Sequence, residues 1–395
     1  HKVMQKKIAF LAAMLMMVLS SAMAQVTTSG INGKVTLEAT GEDVIGATVQ
    51  AVHVPSGTKY AAVTNAKGIY SIQGMRSGGP YTVTVSYIGA QTKEFENISL
   101  SLGESYNLKV WLADDTKTLG EVIVSGQAGV NGTRNGAAQT ISNRMIQELP
   151  SINHSVADIA RVNPFVKVTE GGAINIAGSN NRYNAIQIDG AMSNDVFGLT
   201  SNGANGGQAG TQPFSMETID QLHVSIAPFD VRQSGFTGGA INAITKSGTN
   251  EFHGSVYSYF QNGDMVSNKY KKHDGSESAD YGDMTDWTLG ATLGGPIVKD
   301  KLFFFANFER SKKEYDNAFS TNNGMSQIDF TVANQILDKV RTDAAAQGVT
   351  YRGTLGTPKE YTYSDKVGLK LDWNINDRNH ASLRWSFVDA KQNNK

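Results

Sequence analysis

Four segments in the last third of the chain alternate between apolar and polar residues, and this pattern limits the fold more than any other feature. In "DWTLGATLGG", Trp287, Leu289, Ala291 and Leu293 stand against Thr288, Gly290 and Thr292. In "KLFFFANFER", Leu302, Phe304, Ala306 and Phe308 share one face, and Phe303, Phe305, Asn307 and Glu309 the other. "DKVGLKLDW" sets Val367, Leu369, Leu371 and Trp373 against Lys366, Gly368, Lys370 and Asp372, and "ASLRWSF" repeats the pattern around Arg384. A period of two belongs to a β-strand with unlike faces. With "HGSVYSYFQN" ahead of them, these make five strands.

The connections carry more information than the alternation. Polar residues 263–285 separate the first two strands, and only Val298–Lys301 intervenes before the third. Residues 313–361 form a long connection with a helix-like piece around Ile328–Ala345, and Asn374–Asn379 is short again. Strands of about ten residues, joined by connections that are alternately long and short, are the layout of a membrane β-barrel. A soluble sandwich is the competing reading, because a half-buried sheet also alternates.

Composition narrows the choice. No apolar run reaches 18 residues, so a spanning helix has no candidate and a closed barrel is the other way to satisfy a backbone in lipid. The 41 glycines and a charged content of 18% suit turn-rich β structure. The chain has no cysteine, which excludes disulfides, thiolate metal sites and cysteine nucleophiles. A net charge of −1 offers no basic surface for nucleic acid.

At the N-terminus, Lys6 and Lys7 precede the apolar run Ile8–Leu19, and Ala22-Met23-Ala24 forms a small-residue cleavage signal before Gln25. Residues 1–24 read as a signal peptide, with an N-terminal anchor as the alternative. Residues 25–114 read as a β-sandwich. "YTVTVSY" puts Tyr81, Val83, Val85 and Tyr87 on one face, "GATVQAVHV" is a second strand, and "TNAKGIYSI" turns at Asn65–Gly68 into a third. His53 has no second ligand at metal spacing and reads as structural. Residues 115–126 form a linker containing the short strand "TLGEVIVSG", with glycines at both ends.

Residues 127–248 read as a small α+β domain. A short helix over Ser142–Glu148 ends at Pro150, and Ser155 with Asp158 forms a capping box for a second helix that stops before Pro164. Four strand-like runs follow, interrupted by the Gly/Asn-rich stretch 193–213. "GGQAG" lacks the strand, helix and Lys-Ser/Thr pair of a phosphate loop. The spacing of Asp189, Asn194 and Asp195 does not match a calcium loop, so turn chemistry accounts for them. No catalytic residues, metal ligands or cofactor are assigned: the histidines are scattered, and none sits in a nucleophile motif.

The order of strands and turns in residues 30–114 resembles the carboxypeptidase regulatory-like domain, a transthyretin-like sandwich without catalytic machinery. "AINIAGSNNRYNAIQIDGAMSNDVFGL", "METIDQLHVSIAPFDVRQSGFTGGAINAITKSGTNEFHGSVYSYFQN" and "LGGPIVKDKLFFFANFE" resemble the plug and first barrel strands of TonB-dependent outer-membrane receptors, closest to the Oar-like group. The plug wording "DGA", and Ala177-Gly178 in place of Arg-Gly, favour that group over the SusC-like glycan importers. The resemblance implies a mainly β fold: sandwich, plug, and barrel strands from residue 249 to 395. It implies a barrel of about 22 strands, so five strands make this chain the N-terminal part of a longer protein.

The resemblance also implies a function, namely outer-membrane uptake of a large solute, peptide or protein derived, energised through TonB and its inner-membrane complex. Glu121, Val122, Ile123 and Val124 are then the TonB box, a segment left unpaired so that it can add to TonB's sheet edge; the alternative is the last strand of the N-terminal sandwich, or a simple linker. Asn194, Asp195, Phe197, Asn202 and Gln208 are candidates for the ligand-facing apex of the plug. Partners would be TonB, outer-membrane lipid, an extracellular solute and, left open, a surface lipoprotein. A surface adhesin is the alternative function; it would need neither a plug nor alternating connection lengths.

Overall fold

The computed structural model describes residues 28–113, 122–125, 137–265, 284–316, 330–353, 359–376 and 379–393, without positions 150, 152–153, 170–171, 196, 198–199, 201–202 and 227–236. The expected signal peptide lies outside the described residues.

The first body is a two-sheet sandwich. Its strands are β1 (Thr28–Leu37), β2 (Thr48–His53), β3 (Thr58–Val63), β4 (Ile69–Arg76), β5 (Gly78–Ser86), β6 (Lys93–Leu100), β7 (Ser105–Asn107), β8 (Val110–Leu112) and β9 (Val122–Ser125). One sheet runs β4-β1-β7, with β8 also paired to β1, and the other runs β3-β2-β5-β6-β9. The alternation in the sequence becomes the inter-sheet core: Tyr81, Val83 and Val85 are fully buried against Ile31, Val35, Val49 and Tyr70, with Tyr87 packed at the margin. The turn at Asn65 forms as its sequence dictates. The Asn65 side chain accepts from the backbone N–H groups of Lys67 and Ile69, and Gly68 takes a φ of 67°.

Each sheet carries a buried polar contact of its own. The Tyr70 hydroxyl donates to the Leu108 carbonyl at 2.8 Å, and the same carbonyl lies directly over Gly33, where a methyl group would collide with backbone. His53 is buried, with Nδ1 2.6 Å from the Ser56 hydroxyl and its ring 4.9 Å from that of Tyr81. Its role is structural. Burial, reinforced by the Arg76 cation, pushes its pKa down to about 3.

The second body holds β10 (Ala137–Ser142), α1 (Asn143–Glu148), α2 (Val156–Ala160), β11 (Val166–Val168), β12 (Ile174–Ile176), β13 (Ala185–Ile188), β14 (Ala191–Met192), β15 (Ile219–Ile226) and β16 (Gly239–Thr245). Its sheet runs β10-β15-β16-β13-β14, and β11 pairs with β12 as a separate hairpin. The Ser142 and Ser155 side chains cap the two helices. The Asp158 carboxylate accepts from the Ser151 hydroxyl at 2.9 Å, so the box is closed by a neighbouring loop. Ile141, Ile159, Ile176, Leu222, Val224 and Ile241 form the core. β10 carries no local strand signal, because "AAQTIS" has a single large apolar residue, Ile141.

The third body is an antiparallel sheet in sequence order: β17 (His253–Asn262), β18 (Met284–Val298), β19 (Leu302–Asp316), β20 (Lys359–Asn376) and β21 (Asn379–Asn393). Helix α3 (Phe330–Ala346) lies in the long β19–β20 connection. β19 and β20 extend past the loop limits expected at residues 313–361, pairing up to Asp316↔Lys359. Polar contacts hold this extension: Tyr315 donates to Glu360 at 2.7 Å, and Lys359 pairs with Glu314 at 3.4 Å.

Burial on this sheet is the reverse of a soluble protein's. The apolar face is open, with Leu293 51%, Trp373 51% and Leu383 68% exposed, whereas Glu309, Lys366 and Lys370 are at most 8% exposed. A soluble sheet would bury leucine and expose lysine. The barrel reading accounts for this arrangement and the soluble sandwich does not.

Two outcomes test the sandwich. Gly33→Ala, forcing a methyl group against the Leu108 carbonyl, should lower stability by about 1–3 kcal/mol in urea unfolding, the range for overpacked interiors. The unfolded chain protonates His53 below its ordinary 6.5 while the folded chain does not until about 3, so stability should fall as pH drops from 6.5 towards 3. His53→Gln should flatten that part of the pH profile of the unfolding midpoint.

Candidate functional site

Strands whose inward residues are charged need partners inside the sheet, and the second body supplies them. Glu309 on β19 accepts from Lys366 Nζ of β20 at 2.8 Å and from the Tyr257 hydroxyl of β17 at 2.9 Å. The Ser215 hydroxyl, on the loop before β15, completes the cluster at 2.5 Å from Glu309 Oε2. Both charged side chains are about nine-tenths buried. One carboxylate therefore ties three barrel strands to the inner domain.

A second cluster centres on Asp189, at the tip of β13 with φ 48°. Its oxygens accept from the Thr245 backbone N–H at 2.8 Å and the Thr245 hydroxyl at 2.6 Å. Lys370 of β20 and Arg384 of β21 approach the same carboxylate at 3.5 and 3.4 Å. Lys370 also donates to the Thr245 carbonyl at 3.0 Å. The neighbours of Asp189 are thus cations, which agrees with turn chemistry at this motif. Farther along the seam, the Thr211 hydroxyl donates to that of Ser364 at 3.1 Å, and Tyr259 donates to Glu217 at 2.6 Å.

The apex candidates divide. Asn194 is structural: its amide accepts from the Ile186 N–H and donates to the Asn184 carbonyl, each at 2.7 Å. Asp195 accepts from the N–H groups of Phe197 and Thr200, closing a turn. Phe197 is 85% exposed at that turn's tip. Gln208 is exposed and lines a hollow with Asn205 and with Ser386 and Val388 of β21. Asn202 lies outside the described residues. The structure brings Phe197 and Gln208 to open positions on the loop and uses Asn194 and Asp195 to build it.

The TonB-box candidate is a strand, but it is not unpaired. Val122, Ile123 and Val124 belong to β9, which runs parallel to β6 in the register Lys93↔Val122, Glu94↔Ile123, Phe95↔Val124 and Glu96↔Ser125. The expectation of a segment left without a partner is therefore corrected. A β-branched run with exposed main-chain groups pairs with the nearest open edge, and the sandwich has one at β6. Glu121, Gly120 and Gly126 lie outside the described residues.

Sequence reading missed the Glu309–Lys366–Ser215 and Asp189–Lys370–Arg384 clusters. Their signal was present, since all four barrel members fall on the polar phase of alternating segments. A phase gives a face but no partner.

Breaking one side of the buried pair tests its role. Lys366→Met strands the Glu309 carboxylate and should cost about 3–5 kcal/mol, while Glu309→Gln with Lys366→Met should recover much of it. Denaturant unfolding of the three proteins, followed by tryptophan fluorescence, reads the difference.

Residues 30–113 match the carboxypeptidase regulatory-like domain, and residues 244–358 match the outer membrane beta barrel domain. The TonB-dependent transporter Oar of Myxococcus xanthus is 27% identical over 316 residues, covering 74% of this chain and 28% of its own length. Among solved structures, the siderophore receptor PirA from Acinetobacter baumannii matches with a TM-score of 0.43 at 20% identity, over 65% of this chain and 32% of that one. The outer membrane transporter YddB from Escherichia coli matches with a TM-score of 0.44 at 17% identity, over 65% and 33% of the two chains. The chain thus spans less than a third of these relatives. It is an outer-membrane chain homologous to the TonB-dependent transporter Oar, with a carboxypeptidase regulatory-like domain and part of an outer membrane β-barrel.

Proposed function

We propose that the chain is the N-terminal part of a TonB-dependent receptor that imports a large solute across the outer membrane. The observation that carries this reading is the seam itself. A sheet with apolar residues outward has its charged inner face satisfied by a separate α+β domain, as a barrel wall filled by a plug requires. An adhesin needs no such filling. In this reading residues 25–114 are the sandwich, 115–126 the coupling linker, 127–248 the plug and 249–395 the first barrel strands.

Coupling runs through Glu121, Val122, Ile123 and Val124. Strand addition recognises main-chain groups, so affinity comes from the ladder and the partner is the sheet edge of TonB's periplasmic domain. Phe197 and Gln208, open on the plug loop, are placed for solute contact, and their polar–aromatic character suits a peptide-like ligand. Ionic locks between plug and wall hold the lumen shut until force reaches the plug.

Proline at position 123 removes one ladder N–H. Ile123→Pro in the full-length receptor should abolish energised uptake while surface display and outer-membrane insertion persist. Uptake at the wild-type rate by a correctly inserted Ile123→Pro receptor would remove this segment from the mechanism.

A further inference from the structure

Both edges of the larger sandwich sheet have an assignable neighbour or orientation, and together they say what the sandwich does for β9. The β3 edge is fastened to the barrel. The Asn374 amide donates to the Thr58 hydroxyl at 2.8 Å and to the Asp300 carbonyl at 3.0 Å. The Asn250 N–H donates to the Pro55 carbonyl at 2.8 Å, and the Tyr60 and His380 rings lie 5.2 Å apart. Arg76 at the end of β4 adds an ion pair to Asp372 at 3.7 Å.

The opposite edge of the same sheet is β9. The order β3-β2-β5-β6-β9 puts four strand spacings between them, about 19 Å at roughly 4.8 Å per spacing. Along β6 the direction is equally defined. Its last residue, Leu100, accepts from the Gln221 side chain of the plug at 3.3 Å, whereas β9 pairs with the first half, Lys93–Glu96. β9 is therefore held at the corner of the sheet farthest from both the barrel wall and the plug.

A strand in a sheet has two edges, and successive N–H groups alternate between them. Pairing with β6 occupies one edge of β9. Among the described residues no strand pairs with the other. We infer that the sandwich is a bracket that holds β9 extended and offers its outer edge, preformed, to the edge strand of TonB's periplasmic domain. The product is one continuous sheet running from the barrel-anchored β3 through β9 into the partner.

This inference rests on the reading of β9 as the coupling segment, and it changes the mechanism of capture. An unstructured box must lose backbone freedom on binding. A strand already ordered on β6 has lost it beforehand, which favours association. It also makes the sandwich a mechanical element, because tension on β9 loads its pairing with β6 as well as the chain that leads on to the plug.

Residues 1–395 carry no cysteine, so once any cysteine elsewhere in the full-length receptor is replaced by serine an introduced pair is unambiguous. Glu96→Cys with Ser125→Cys joins residues that face each other in the register, and Ser125 lies outside the four coupling positions. In the full-length receptor this pair should oxidise, and Glu94→Cys with Ser125→Cys, two residues out of register, should not. Capture of purified TonB periplasmic domain should be at least as tight oxidised as reduced. Loss of capture on oxidation, restored by reductant, overturns the bracket, because β9 must then leave β6 to be bound. Failure of the in-register pair to oxidise overturns it as well. Ile123→Pro separates the two layers: if it leaves capture intact, the coupling role of β9 falls and the bracket with it. If it abolishes capture and oxidation does too, the coupling role stands and the bracket alone falls.

Discussion

The inverted burial of the last five strands is the constraint on which the rest of the molecule depends. Leu293, Trp373 and Leu383 stay open on one face, while Glu309, Lys366 and Lys370 are buried on the other. Buried charges need partners and hydrogen bonds, or they destabilise the structure that holds them. The plug is the source of those partners. Ser215 completes the Glu309 cluster, and Asp189 with Thr245 meets Lys370 and Arg384. Wall and inner domain are therefore interdependent: the Glu309–Lys366 pair on the wall takes a further hydrogen bond from Ser215, and Lys370 and Arg384 find their carboxylate on Asp189.

That interdependence governs how the two bodies can part. A seam made of apolar packing would be set by area and hard to open in part. A seam made of a few charged clusters holds firmly in a dry lumen and weakens once water enters, because the effective dielectric rises. Entry of water along one cluster would loosen the plug locally while the others hold. The sandwich extends the same polar logic outside the lumen. Asn374 of β20 fastens its β3 edge at Thr58, Arg76 at the end of β4 pairs with Asp372, and the far edge carries β9.

Much of the fold was legible in the residues. Alternation in "DKVGLKLDW" predicted which residues face out and which face in, and the structure has Lys366, Lys370 and Asp372 buried and Trp373 exposed, as that phase requires. Asn65–Gly68 turned where its side-chain chemistry said it should. Ser142 and Ser155 capped the helices they precede. Elements with weak local signals were lost. β10 pairs along Leu222 and Val224 of β15, a contact some 80 residues distant that no local pattern announces. The apex loop was recognised as irregular, but its residues could not be sorted into builders and contacts until Asn194 was seen bridging Ile186 and Asn184.

The sequence by itself determined the two-sided character of the strongly alternating strands and the turn positions, because these follow from side-chain period and local backbone chemistry. Only the tertiary structure decided the partners. Glu309 could face any inward residue, and Lys366 and Ser215 were selected by strand order and by the plug's position. The same holds for Val122–Ser125. Their β-branched residues made a strand, but a strand's partner is whichever complementary edge the fold brings within hydrogen-bond reach. Here that edge is β6 of the sandwich, so a segment expected to stay unpaired is the outermost strand of a sheet, as the alternative reading of these residues had it.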